Sequence, residues 1–131
     1  MIVDSSAILA IVLREPDQER FVDAIVEADT CRMSVSNWFE ATIVVDRRGK
    51  TEAVNRLDDF MQRARIQLMP VSVSQGEIAR RAWRTYGRGI HPARLNYGDC
   101  FAYALAKEIR EPLLFKGNDF ARTDIEPALK D

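Results

Sequence analysis

The chain has 131 residues, 47% of them hydrophobic and 30% charged, with 6 Gly and 5 Pro. This supply suits one compact domain over residues 1–131 and excludes a disordered, collagenous or mucin-like chain. A net charge of −1 excludes attachment to nucleic acid by overall charge, so any such contact needs a local basic patch.

The apolar opening from Met1 is interrupted by Asp4 and closed by Arg14 and Glu15. It falls short of the ~18 apolar residues of a membrane span, and no basic residues precede it as in a signal peptide. Cys31 and Cys100 have no CxxC spacing, and the lone His91 completes no zinc pattern with them, which points to a reducing, cytoplasmic setting.

Ile2-Val3 reads as a short buried strand, followed by the capping types Asp4, Ser5 and Ser6 and a helix through Leu13. Pro16 opens a second helix, with Phe21, Val22, Ile25 and Val26 at helical spacing. Arg32 to Val35 is the next strand, and Ser36 caps a helix that Gly49 ends. Thr51 opens a fourth helix, with Val54, Leu57, Phe60, Met61 and Ala64 as its stripe. Ile66 to Val71 is a strand, and Ser74 with Glu77 forms a capping box for a helix that stops at Gly87. After a loop from Arg88 to Asn96, a helix runs from Gly98 to Ile109, and Leu113 to Phe115 is the last strand. Strands alternating with helices predict an α/β fold with a short, mostly parallel sheet covered on both faces.

Ligands of open α/β sheets collect beyond the carboxyl ends of the strands. Asp4 directly follows the first strand, Asp119 follows the last, Asp99 opens a helix, and Glu40 lies one turn beyond Asn37. Taken singly, Asp4 and Asp99 suit helix caps and Asp119 a turn; their common relation to strand ends is what groups them. Four converging carboxylates need a proton or a metal to answer their repulsion, and an oxygen-only set selects Mg²⁺, or Mn²⁺, over zinc. Such ions activate water and bind phosphate oxygens, so a phosphodiester is the expected substrate.

Together MIVDSSAILAIVLREP, the Glu40 segment SNWFEA, HPARLNYGDCFAYALA and PLLFKGNDF resemble PIN-domain proteins of the VapC toxin type over essentially the whole chain. The resemblance implies a three-layer fold, Mg²⁺-dependent endoribonuclease activity, a cognate antitoxin and a homodimer. It assigns the acidic metal and catalytic roles to Asp4, Glu40, Asp99 and Asp119, and a supporting hydroxyl to Ser6. Many members carry an acidic residue three before the final Phe, where this chain has Gly117. Asp119 is the expected fourth member, as the first full negative charge after the strand, with Asn118 and Asp124 as alternatives. An antitoxin helix is expected in a groove between the helices at Pro16–Asp29 and Thr51–Arg65.

Arg84, Arg88, His91, Arg94 and Lys116 are candidate RNA contacts, since guanidinium forks suit phosphates; Arg80 and Arg81 read as an exposed helix face. Trp38, Trp83, Tyr97 and Phe120 are available to stack on bases, although the apolar stripe around Trp83 assigns it to the core. Two other functions compete. An aspartyl phosphotransfer enzyme also starts with an Asp after its first strand, but it wants a second Asp where Ser6 stands. A catalytically silent interaction module of the same fold is disfavoured because all four acidic positions can be filled.

Overall fold

The computed structural model describes residues 1–130. Four strands, β1 (Ile2–Val3), β2 (Arg32–Ser34), β3 (Gln67–Met69) and β4 (Leu113–Leu114), form one sheet in the order β3-β2-β1-β4. All three pairings are parallel, with Ile2 opposite both Arg32 and Leu113. Between them run α1 (Ser5–Val12), α2 (Gln18–Glu27), α3 (Val35–Arg47), α4 (Thr51–Arg63), α5 (Val73–Tyr86) and α6 (Tyr97–Ile109).

Successive strand residues point to opposite faces, and the two cores follow that alternation. Val3, Met33 and Leu114 join Ile8, Val12, Phe21, Ile25 and Leu57 on one side. Ile2 and Leu113 join Leu95, Leu105 and Phe120 on the other. The expected three layers are therefore present, with α1, α2 and α4 on one face and α5 and α6 on the other. Cys31 and Cys100 are buried free thiols. Among the described residues, no helix is long and apolar enough to cross a membrane.

Three helix starts differ from expectation. The second helix begins at Gln18 instead of Pro16, and Asp17, at its cap position, makes no side-chain capping bond because its carboxylate accepts from Lys116. The caps of α3 and α5 are Ser34 and Ser72 in place of Ser36 and Ser74. Each cap sits in extended backbone, the conformation from which a hydroxyl reaches back to the first free N–H groups. Ser72 Oγ accepts from Gln75 N at 3.1 Å, whereas Ser74 donates to Glu108.

All the strands end at one edge of the sheet, which brings Asp4, the start of α3 and the segment after β4 together. The caps make a direct test of this assignment. Ser72→Ala should lower unfolding free energy by about 1 kcal/mol in urea denaturation, and Ser36→Ala should stay within about 0.5 kcal/mol of wild type.

Candidate active site at the carboxyl edge of the sheet

Asp4 is where β1 becomes α1. Its backbone N–H donates to Leu114 O at 2.9 Å, continuing the β1–β4 ladder, and its carboxylate caps α1 by accepting from Ser6 N. Ser6 Oγ also donates to Asp4 Oδ2 at 2.6 Å and accepts from Lys116 N at 2.9 Å. Asp4 is only 3% exposed, and its other oxygen, Oδ1, is buried without a hydrogen-bond partner among the described residues. Burial raises its pKa to about 6; the Ser6 bonds oppose that rise and the Glu40 charge adds to it.

Glu40 projects from α3 toward α1 and α6. Its Oε1 accepts from Ser5 Oγ at 2.7 Å. A Cβ placed on Gly98 would stand 2.1 Å from Glu40 Oε2, so any side chain at this position of α6 would push the carboxylate out of its present place. One turn earlier on α3, the fully buried Asn37 donates from Nδ2 to Gly98 O at 2.9 Å, while its Oδ1 has no partner. Ser5 and Gly98 escaped the sequence reading, though both lie within the DSSA and NYGD stretches that drew attention to their neighbours.

Asp99 completes a capping box: Asn96 Oδ1 accepts from Asp99 N, and Asp99 Oδ2 accepts from Asn96 N, each at 2.9 Å. One oxygen is thus occupied by the helix start and the other makes no such bond. Its pKa is pushed up to about 7, first by burial and then by the charges of Asp4, Asp119 and Glu40, against the lowering effect of the Asn96 N–H. Asp119 is exposed after the left-handed Gly117 (φ +103°) and within electrostatic reach of Asp99. Asp124 lies elsewhere, accepting from Tyr103 OH at 2.6 Å and pairing with Lys107 at 2.7 Å. Asn118 is exposed and lines a separate cavity with Asp17 and Lys116.

The expected convergence is thus an electrostatic neighbourhood. Among the described residues, no three His, Cys, Asp or Glu side chains are gathered tightly enough to hold a metal ion as they stand. Two of the carboxylates are tethered by Ser5 and Asn96, and like charges gain nothing by closing together without a cation. The donor chemistry still fits a hard divalent ion: oxygen ligands only, with a buried Asp4 oxygen lacking any partner.

Of the candidate RNA contacts, Arg84, Arg88 and Arg94 are exposed. His91 Nδ1 accepts from Ala93 N at 3.0 Å and its ring packs edge-on against Tyr86, so it braces its own loop. The Lys116 ammonium is held by Glu15 and Asp17 at 2.9 Å each, which neutralises it locally. Tyr97 excepted, the aromatics sort against expectation as well. Trp83 is 42% and Tyr97 78% exposed, whereas Phe120 is buried and Trp38 packs against the core.

Residues 1–126 match the family model for the PIN domain. The chain belongs to the PIN-domain family. This PIN-domain chain is 48% identical over 126 residues to Ribonuclease VapC30 of Mycobacterium tuberculosis, covering 95% of each. It is 43% identical over 125 residues to Ribonuclease VapC of Mycolicibacterium smegmatis, covering 95% of this chain and 97% of that one. Its fold superposes on M. tuberculosis VapC20, described as a sarcin-ricin loop cleaving toxin, with TM-score 0.71, 13% identity and 95% coverage of each chain. VapBC2 from Rickettsia felis, solved bound to a fragment of promoter DNA, matches at TM-score 0.71 and 16% identity, over 96% of this chain and 94% of that one.

The raised carboxyl groups set a pH dependence. A group whose folded pKa exceeds its unfolded value near 3.8 stabilises the fold below that value, and its contribution is lost as pH rises through the folded pKa. Asp4 and Asp99 both have this sign, with folded values of about 6 and about 7. Asp17, Glu108 and Asp124 are shifted downward, so their contributions change only at more acid pH. In chelator, stability should fall by roughly 4 kcal/mol between about pH 5 and about pH 8, and Asp99→Asn should flatten that slope. Denaturant titrations at the two pH values decide it; unchanged or rising stability would contradict the assignment.

Proposed function

We infer that this chain is the toxin of a toxin–antitoxin pair: a divalent-metal-dependent endoribonuclease, acting in the cytoplasm as one domain with Mg²⁺, or Mn²⁺ in its place. The observation that carries the reading is the buried, unpartnered Oδ1 of Asp4, beside Glu40 and Asp99, at the sheet edge of a chain whose relatives at 43–48% identity are named ribonucleases. A bare carboxylate oxygen in that setting is costly unless a cation answers it.

Asp4, Glu40, Asp99 and Asp119 would hold the ion, and an ion bound there supplies the positive charge that acidifies water and offsets the charge of a phosphodiester in attack. The protein's own part is positional. Ser6 fixes Asp4 Oδ2, leaving Oδ1 free, and Ser5 aims Glu40. Asn37 ties α3 to the start of α6, so Glu40 and Asp99 keep their separation. The capping box holds one Asp99 oxygen and leaves the other for binding. Asp119 is the fourth member in preference to Asp124, whose oxygens are taken by Tyr103 and Lys107.

The antitoxin reading has a surface to match. A cavity of about 640 Å³ opens between α2 and α4, lined by Ile25, Val26, Phe60 and Ala64, with Arg63 and Asp29 at its rim. Val26 is 76% exposed there, a dimension and chemistry that suit an amphipathic helix. For a second copy, α3 offers Val35, Phe39 and Ile43 in an exposed apolar row at i, i+4, i+8 spacing.

Two experiments test these assignments. Asp99→Asn should abolish cleavage of total RNA while keeping native melting, and Asp119→Asn should weaken metal binding and slow cleavage at least tenfold more than Asp124→Asn. A metal titration of the three variants decides it, and a larger loss at Asp124 would reassign the fourth position. Co-expression with the neighbouring gene product should yield a complex that Val26→Asp disrupts; recovery of the chain alone from the wild-type co-expression would refute the partner.

A further inference from the structure

A second cavity, of about 590 Å³, lies between α5 and α6. It is lined by Trp83, Tyr97, Phe101, Arg80, Arg88 and Asn96 among others, with no Asp or Glu of the described residues in its wall. We propose that this groove is a nucleobase subsite, in which an unpaired base next to the scissile phosphate stacks on Trp83 while Arg80 and Arg88 engage the flanking phosphates; this rests on the ribonuclease reading above.

The aromatic wall is held in place before any ligand arrives. A Cβ on Gly87 would lie 2.4 Å from Trp83 O and 2.7 Å from its ring, so the chain leaving α5 packs directly against the indole. Trp83 is nevertheless 42% exposed. On α6, Tyr97 and Phe101 form an edge-to-face pair with centroids 4.9 Å apart. A fixed ring that remains open costs little entropy on stacking, and every base offers a π-face.

The charge of the groove selects the occupant. Among the described residues, the Arg80 and Arg88 side chains have no hydrogen bond or ion pair, so their guanidinium groups are available to an anion. An apolar lining alone would equally suit another protein. Two unpaired cations beside open aromatic rings, with no acidic group of the described residues between them, instead match a base attached to phosphates. Location supports the same occupant: Asn96 lines the groove and also holds Asp99 through both halves of the capping box. The groove and the carboxylate edge are thus the two sides of one helix start.

The test reads binding without chemistry. Trp38→Phe leaves Trp83 as the sole tryptophan, and in chelator a short single-stranded RNA should quench its fluorescence, while an inorganic polyphosphate should not. Trp83→Ala and Tyr97→Ala should each weaken RNA binding roughly five- to hundredfold. With Mg²⁺ present, Trp83→Ala should raise KM with kcat nearly unchanged, and Trp83→Phe should restore most of the loss. Native melting and an unchanged molar mass by ultracentrifugation are required of each variant. Cleavage and binding equal to wild type in Trp83→Ala would overturn the subsite while leaving the ribonuclease reading intact. Groove-dependent binding by a wild-type chain that cleaves nothing would do the reverse. Conversion of Trp83→Ala to a species of lower mass would also overturn it, by making the groove a contact between copies.

Discussion

The buried carboxylate of Asp4 is the constraint around which the rest is arranged. One oxygen is satisfied by the backbone and hydroxyl of Ser6, and the other has no hydrogen-bond partner among the described residues. An unpaired charge in such a place is costly, and the carboxyl answers by holding its proton until about pH 6. The position cannot drift to relieve the strain. Asp4 N is bonded to β4, and Lys116 N reaches Ser6 Oγ from the segment that follows β4. The pairing of β1 with β4 therefore fixes the most demanding group of the site, and the two-layer packing of Ile2 and Val3 fixes the strand.

The second half of the site is attached to the first through Gly98. Glu40 takes its present place against the bare Cα of that residue, and Asn37 bonds to its carbonyl. The neighbouring Asp99 divides its oxygens, one closing the start of α6 and the other left open. Local folding and site geometry thus use the same atoms, and these contacts tie α3, α6 and the start of α1 to one another. This shared use also explains why the carboxylates do not collapse into a tight cluster on their own. Ser5 and Asn96 hold two of them apart, at positions from which a cation would have to draw them in.

Much of this was legible in the sequence, for identifiable reasons. Short β-branched or apolar runs followed by helical periodicity gave all four strands and six helices, and the position of Asp4, Glu40, Asp99 and Asp119 relative to strand ends drew them to one edge. The misplaced caps share a cause. Both occur in Ser-Val-Ser, at Ser34 to Ser36 and Ser72 to Ser74, where either serine has the right chemistry and only backbone conformation chooses the first. Lys116 looked like a free cation because its partners Glu15 and Asp17 are about a hundred residues away in the chain. Trp83 follows the spacing of a core stripe, yet Ala79 and Ala82 fill the contact with α6 and leave the indole at its margin. No local pattern carries that information, since it depends on which residues of α6 stand opposite.

The near-zero net charge conceals a separation that matters for a polyanionic substrate. Bare carboxylates at the strand ends repel RNA, and unit charges about 4 Å apart at an effective dielectric near 20 interact by roughly 4 kcal/mol. Arginines on α5 and in the loop before α6 attract the same polymer, and with Lys116 neutralised by its own neighbours they carry the available positive charge of this region. The attraction is offset from the site by one helix start, so the backbone is drawn in beside the carboxylates. Passage of a phosphate over them then depends on a cation to invert the local sign. Substrate capture and metal loading are in this way assigned to opposite sides of Asn96, and the capping box that joins Asn96 to Asp99 is the physical connection between them.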